Sequence, residues 1–184
     1  MAIGAVSESS SFERYIAEIR SFWGDGKDPQ LPFRVKLLME KLLVSTRPDE
    51  PWMAQILKDG KPSKELYRDP DLGFIQMGHV HQQGHANLPH DHGPCWVVYG
   101  AYTGVTEITL YRRADDGKEP GRSLLEKREL HRLTAGVVYP YVPGEIHSTR
   151  AVEGPAVVFR FLSYDLEKVE RNRYNPEKGT VSRV

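Results

Sequence analysis

Between Gly73 and Tyr164 the chain is a series of short apolar runs rich in β-branched and aromatic residues. They are Phe74–His81 (FIQMGHVH), Cys95–Tyr99, Val105–Tyr111, Gly136–Tyr139 and Ala156–Leu162. Glycine, proline and asparagine punctuate them, and no helical pattern intervenes. This pattern restricts the fold more than any other feature. Strands without helices between them lack the crossovers that a parallel sheet needs, so they pair antiparallel in a sandwich or barrel. Asp115–Gly121 (DDGKEPG) reads as a solvent loop within this region.

The first third has a different period. Ser10-Ser-Phe-Glu13 has the form of a capping box, and Phe12, Tyr15, Ile16, Ile19, Phe22 and Trp23 follow at helical spacing. Gly24-Asp-Gly26 ends that helix. Pro32 opens a second one, over Phe33 to Val44, with Val35, Leu37, Leu38, Leu42 and Leu43 as its apolar stripe. A third starts near Asp49-Glu-Pro51 and stops before Gly60. The expected organisation is a helical extension over 1–70 packed on the β-core, a barrel over 71–166, and a charged tail over 167–184, loose or wrapped on a neighbour. At 184 residues the whole suits one domain.

Charge sets limits on partners. Lysine plus arginine equal aspartate plus glutamate at 25 each, so no net field favours nucleic acid or a membrane surface. The single cysteine, Cys95, excludes an internal disulfide framework and fits a reducing compartment. The N-terminal stretch lacks a basic region followed by an apolar run, and no stretch is long and apolar enough to span a bilayer, so the expected location is the cytoplasm.

Within this β-region, five histidines fall between His79 and His92, and two of them form the triplet His90-Asp91-His92. On a strand, positions i and i+2 share a face, so both imidazoles point the same way. A third candidate, His147, lies downstream in Val142-Pro-Gly144-Glu-Ile-His147. Three neutral imidazoles converging inside a β-fold make a site for a divalent transition metal with open coordination positions.

The spacing resembles the cupin superfamily of small jelly-roll barrels. Its first motif is a glycine, five residues, His-x-His, three or four residues, a glutamate, six residues and a glycine. Gly84, His90, His92 and Gly104 fall in register, with Val97 at the glutamate position. In the second motif Gly136, Gly144 and His147 match, while Val142 and Ala151 replace the proline and asparagine. The resemblance implies an all-β double-stranded β-helix preceded by N-terminal helices, with His90, His92 and His147 as metal ligands. Without the glutamate, the set resembles that of thiol dioxygenases and of the β-diketone-cleaving dioxygenase. Cysteine dioxygenases carry a cysteine where Val97 stands, and a histidine on the strand where Arg160 stands in Val157-Val-Phe-Arg160-Phe-Leu-Ser163-Tyr164. Tyr67-Arg68 lies roughly where they have a substrate-gripping arginine. A relative with a different substrate is therefore implied.

The resemblance further implies a non-haem Fe(II) dioxygenase acting on a small chelating substrate, a thiol or β-dicarbonyl. Zn, Ni or Mn in a cupin isomerase, lyase or hydrolase is the alternative, and a non-catalytic small-ligand-binding cupin a third. Tyr99, Arg160 and His81 are the candidate catalytic contacts. Tyr99 shares strand parity with Val97; Arg160 either binds a substrate carboxylate or faces out to pair with an acid. His79 and His81 either line the barrel interior or are ordinary polar residues, and His85 and His131 read as surface or loop. Asp91 should point outward between two inward histidines. Glu145 either orients a ligand or faces solvent, and Trp96 belongs to the opposite face, as core or dimer surface. A homodimer is expected, because exposed strand edges need covering.

Overall fold

The computed structural model describes residues 9–184, a run of helices followed by antiparallel strands. Residues 1–8, part of the stretch read above as lacking a leader, lie outside the described residues. α1 (Ser11–Phe22) starts at the capping box that its sequence predicts. The Ser10 hydroxyl accepts from Glu13 N, and Ser10 N donates to the Glu13 carboxylate at 2.7 Å. α2 (Leu31–Ser45) carries Pro32 in its first turn, and α3 (Pro51–Asp59) ends on Gly60 in the left-handed conformation. The stripe of α2 differs by one member from the expected one. Leu37 is 62% exposed, and Met39 is buried in its place. Val35, Met39 and Leu42 recur at helical spacing, whereas Leu37 lies two residues from Val35 and so on the far side of the helix.

Strands β1 (Lys64–Arg68), β2 (Ile75–His81), β3 (Val97–Arg113), β4 (Leu125–Leu133), β5 (Val138–Tyr141) and β6 (Ile146–Leu162) form one antiparallel sheet. Its order is β1-β2-β6-β3-β4, with β5 also on β3. The expected architecture, a β-core of antiparallel strands preceded by helices, is the one observed. Two pairs of expected features merge. Cys95–Tyr99 and Val105–Tyr111 belong largely to one strand, β3, and Ala156–Leu162 is the second half of β6, which already contains His147. Gly104 lies inside β3 with φ 71, where the pairing with β6 shifts register; a Cβ there would lie 2.6 Å from the Glu153 carbonyl oxygen. A glycine that reads as a strand end is instead a bulge.

Two further boundaries move. β1 falls inside the range 1–70 assigned to the helical extension, so the sheet begins at Lys64. The tail over 167–184 is not loose: after a 3-10 turn at Leu166–Lys168 it folds into a hairpin of β7 (Asn172–Asn175) and β8 (Thr180–Arg183).

Strand alternation sorts the side chains into two cores. Phe74, Val80, Trp96, Val98, Phe159 and Phe161 face the helices and bury Ile19, Val35, Met39 and Met53. Trp96 is thus core, packed against Trp23 and Phe161. The intervening residues, Ile75, Val97, Tyr99, Val158 and Leu162, form a second core on the opposite face of the sheet, together with Ile108, Leu133 and Tyr141. Arg160 shares parity with Val158 and Leu162, and in register it lies between Met77 of β2 and Tyr99 of β3. Among the described residues no helix is long and apolar enough to cross a membrane.

Candidate metal centre

His147 stands on β6, opposite Leu110 of β3. His90 and His92 lie just before β3, in an extended segment rather than a regular strand. His90 bridges His147 on one side, with paired main-chain hydrogen bonds of 2.9 Å, and Arg173 on the other. The alternation expected of a strand still operates. His90 and His92 turn toward His147, with ring centroids 5.0 Å apart for His90–His92, 4.9 Å for His90–His147 and 5.0 Å for His92–His147. One ligand atom from each lies within 4.8 Å of the others.

The ring protons are assigned by the acceptors they meet. His90 Nδ1 lies 2.9 Å from the Leu88 carbonyl and His147 Nδ1 lies 3.2 Å from the Glu145 carbonyl. A carbonyl only accepts, so Nδ1 carries the hydrogen in both rings and Nε2 is left with a free lone pair. His147 Nε2 is buried with no partner, and so is His92 Nδ1. Burial also keeps the rings neutral: it pushes His147 down to about 3, and lowers His92 and His90 below the ordinary histidine value. Val97, at the position of the motif's glutamate, is 1% exposed and apolar. Three neutral imidazoles, with an orphaned Nε2 and no carboxylate among them, fit a borderline divalent ion.

Two cavities flank this cluster. The front one, about 570 Å³, is lined by His90, His92, Ile75, Met77, Leu162 and Arg160, with Arg171 and Arg173 also on its wall. The rear one, about 300 Å³, is lined by His79, His81, His85, Tyr99 and Thr106, and it shares Arg160 with the front. Tyr99 is buried, its hydroxyl 3.4 Å from His92 Nε2 and its ring centroid 5.6 Å from that of His147. The Arg160 guanidinium carbon lies 6.0 Å from the Tyr99 ring centre, and Arg160 Nε is buried without an acceptor. His81 stands apart from the three-histidine cluster. It stacks on the exposed His85 at 4.1 Å and lies 5.3 Å from His79, which is tied through Nδ1 to the Pro62 carbonyl. Burial lowers His81 to about 4 and His79 to about 3.

The remaining candidates have other tasks. Glu145 orients His147 through its backbone carbonyl, while its carboxylate accepts from Val142 N at 3.0 Å across the turn. Arg68 borders the front cavity but is engaged by Glu65 and Asp165 at 2.7 and 2.6 Å. His131 stacks on Tyr139, with Nδ1 3.1 Å from the hydroxyl of Tyr141, the ring that stacks on His147, and Cys95 is free and buried.

Asp91 does not point to solvent. It is 4% exposed, and its carboxylate accepts from Gly93 N, Asn172 N, Asn172 Nδ2 and the Tyr174 hydroxyl at 2.9 to 3.1 Å. Parity places Asp91 opposite the face that carries the His90 and His92 rings, but the chain that covers it comes from the far end of the sequence. Arg171 and Arg173 are the functional candidates missed in the tail. Their signal was an alternating Arg-Asn-Arg-Tyr before the Gly179 turn, masked by the tail's charge.

No family model and no curated protein matches the chain. Solved structures with partial similarity include KdgF from Halomonas sp., at 19% identity and TM-score 0.42 over 58% of this chain and 83% of that one. The cupin domain of Cnp3 from Schizosaccharomyces pombe aligns at 12% identity and TM-score 0.43, over 58% and 62%. Peruvianin-I, a cysteine peptidase from Thevetia peruviana latex, aligns at 21% and 0.40 over 50% of this chain, which spans about half (52%) of that protein.

Proposed function

We propose that the chain is a metal-dependent enzyme of the non-haem iron(II) dioxygenase kind, acting on a small chelating substrate of thiol or β-dicarbonyl type. The observation that carries this reading is the donor set: three buried, neutral imidazoles without a carboxylate, opening on a cavity of about 570 Å³. An iron(II) ion held by His90, His92 and His147 would supply adjacent open positions for a bidentate substrate and dioxygen.

The chain's own residues do the rest. Nδ1–H bonds to the Leu88 and Glu145 carbonyls hold two of the rings in the ligating orientation. Ile75, Val97 and Leu162 keep the interior beside them apolar and restrict water. The Tyr99 hydroxyl, beside His92 Nε2, donates a hydrogen bond to a substrate atom bound there. Arg160 faces an anionic substrate group from the interior wall, and His81 offers a neutral imidazole to any part reaching the rear cavity.

The same donor set supports a second reading, since three imidazoles with an open fourth position also suit zinc and water activation without oxygen chemistry. Metal analysis of the purified chain beside His90→Ala, followed by oxygen uptake after anaerobic Fe(II) loading with thiols and β-dicarbonyls, separates the two. The dioxygenase reading expects bound metal lost in the variant and iron-dependent oxygen consumption. Metal bound without oxygen uptake by any of these substrates favours Lewis-acid chemistry or a ligand-binding role. Equal metal content in the variant would sink the site itself.

A further inference from the structure

The C-terminal hairpin meets the histidine segment through main chain and side chain together. Tyr174 N donates to the Pro89 carbonyl at 2.8 Å and Asp91 N to the Asn172 carbonyl at 3.1 Å. The Asp91 carboxylate then accepts from both Asn172 and Tyr174. Docked in this way, the hairpin brings Arg171 and Arg173, two residues apart, to the cavity that also holds His90, His92 and Arg160.

These three arginines differ from their neighbours. Arg68 is paired with Glu65 and Asp165, and Arg183, on the same hairpin, is paired with Glu170 at 3.0 Å. Arg160, Arg171 and Arg173 have no acidic partner within ion-pair distance among the described residues, and Nε of both Arg160 and Arg171 is buried without an acceptor. A buried donor left unmatched costs free energy, and like charges around one cavity add to that cost. Both penalties are relieved by an anion that accepts from them.

We infer that the hairpin completes the substrate site, and that Arg171 and Arg173, with Arg160, recognise a carboxylate on the small molecule held at the histidines. A guanidinium presents a planar fork of donors that matches the two oxygens of a carboxylate. The link to turnover rests on the function proposed above, whereas the anion site rests on the arginines alone.

Calorimetric titration of the full chain, zinc-loaded and metal-free, with metal content measured on each sample, tests this. The probes are malonate, succinate, the neutral succinamide and inorganic phosphate. The dicarboxylates should bind and succinamide should not. Arg171→Gln and Arg173→Gln should each weaken dicarboxylate binding by roughly ten-fold or more, while Arg183→Gln leaves it unchanged. Equal losses in Arg183→Gln, no dicarboxylate binding, or phosphate bound ahead of both dicarboxylates would each overturn the assignment. Arginine-dependent binding in a protein that takes up no metal would support the anion site while removing the metal reading.

Discussion

A side chain's neighbours decide what its chemistry can be, and His147 shows this most clearly. Its ring is fully buried, its Nδ1 hydrogen is committed to the Glu145 carbonyl, and its Nε2 has no protein partner. Replacing it with alanine should abolish bound metal, read as a fall from roughly one ion per chain to none. Tyr99 lies beside the cluster without belonging to it, so Tyr99→Phe should keep the metal and the fold. Turnover of a responsive substrate should fall by roughly ten-fold, the loss of one hydrogen bond. An unchanged rate would make Tyr99 a packing residue. His90 and His92 are legible from their spacing because alternation along an extended segment puts both on one face, whereas His147 is legible only through the resemblance of its motif. Asp91 was legible only in part, because parity says which way it turns and not what covers it.

At the scale of elements, the hairpin and the histidine segment behave as one unit joined at Asp91. Its buried carboxylate takes four hydrogen bonds, three of them from the hairpin. Asp91→Ala should destabilise the protein by about 2–3 kcal/mol and expose residues 167–184 to limited proteolysis while the barrel resists. A tail no more susceptible than in the parent would contradict the clamp. Gly93 reports on the same contact. With φ 57 and a Cβ position 2.3 Å from the Glu170 carbonyl oxygen, Gly93→Ala has both strain and a backbone clash against it and should loosen the same hairpin. On the opposite side of the molecule, Met39 of α2 is fully buried between helix and sheet, and Met39→Ala should cost about 2–5 kcal/mol in a denaturant titration. The helices were readable to within a residue or two because caps, prolines and glycines mark their ends locally. β4 was missed, since its sequence LEKRELHRL is charged and mostly exposed, and only pairing with β3 makes it a strand. The bulge at Gly104 was hidden for the same reason: register belongs to two strands at once.

For the whole molecule, the buried histidines tie stability to pH. His79, His81 and His147 are neutral in the fold because burial depresses them to about 3, 4 and 3. The unfolded chain protonates them near 6.5, so below that pH it binds more protons than the native state. Stability is therefore full above pH 6.5 and falls as the pH drops toward 4. Urea midpoints of the metal-free protein at about pH 7.5, 6 and 5 should decline in that order, and a constant midpoint would contradict it. A bound divalent ion should raise stability and steepen the decline, because it competes with protons for the same lone pairs. Periodicity along the chain establishes the antiparallel core, the helices ahead of it and the shared face of His90 and His92, while His147 is assigned by the resemblance of its motif. Folding alone brings His147 against His90, pairs β3 with β6 as single long strands, turns Arg160 inward beside Tyr99, and returns a charged tail that seals Asp91 and places two arginines at the cavity. Those facts depend on contacts between segments distant in sequence, where the free energy of burial and pairing, rather than local preference, chooses the neighbour.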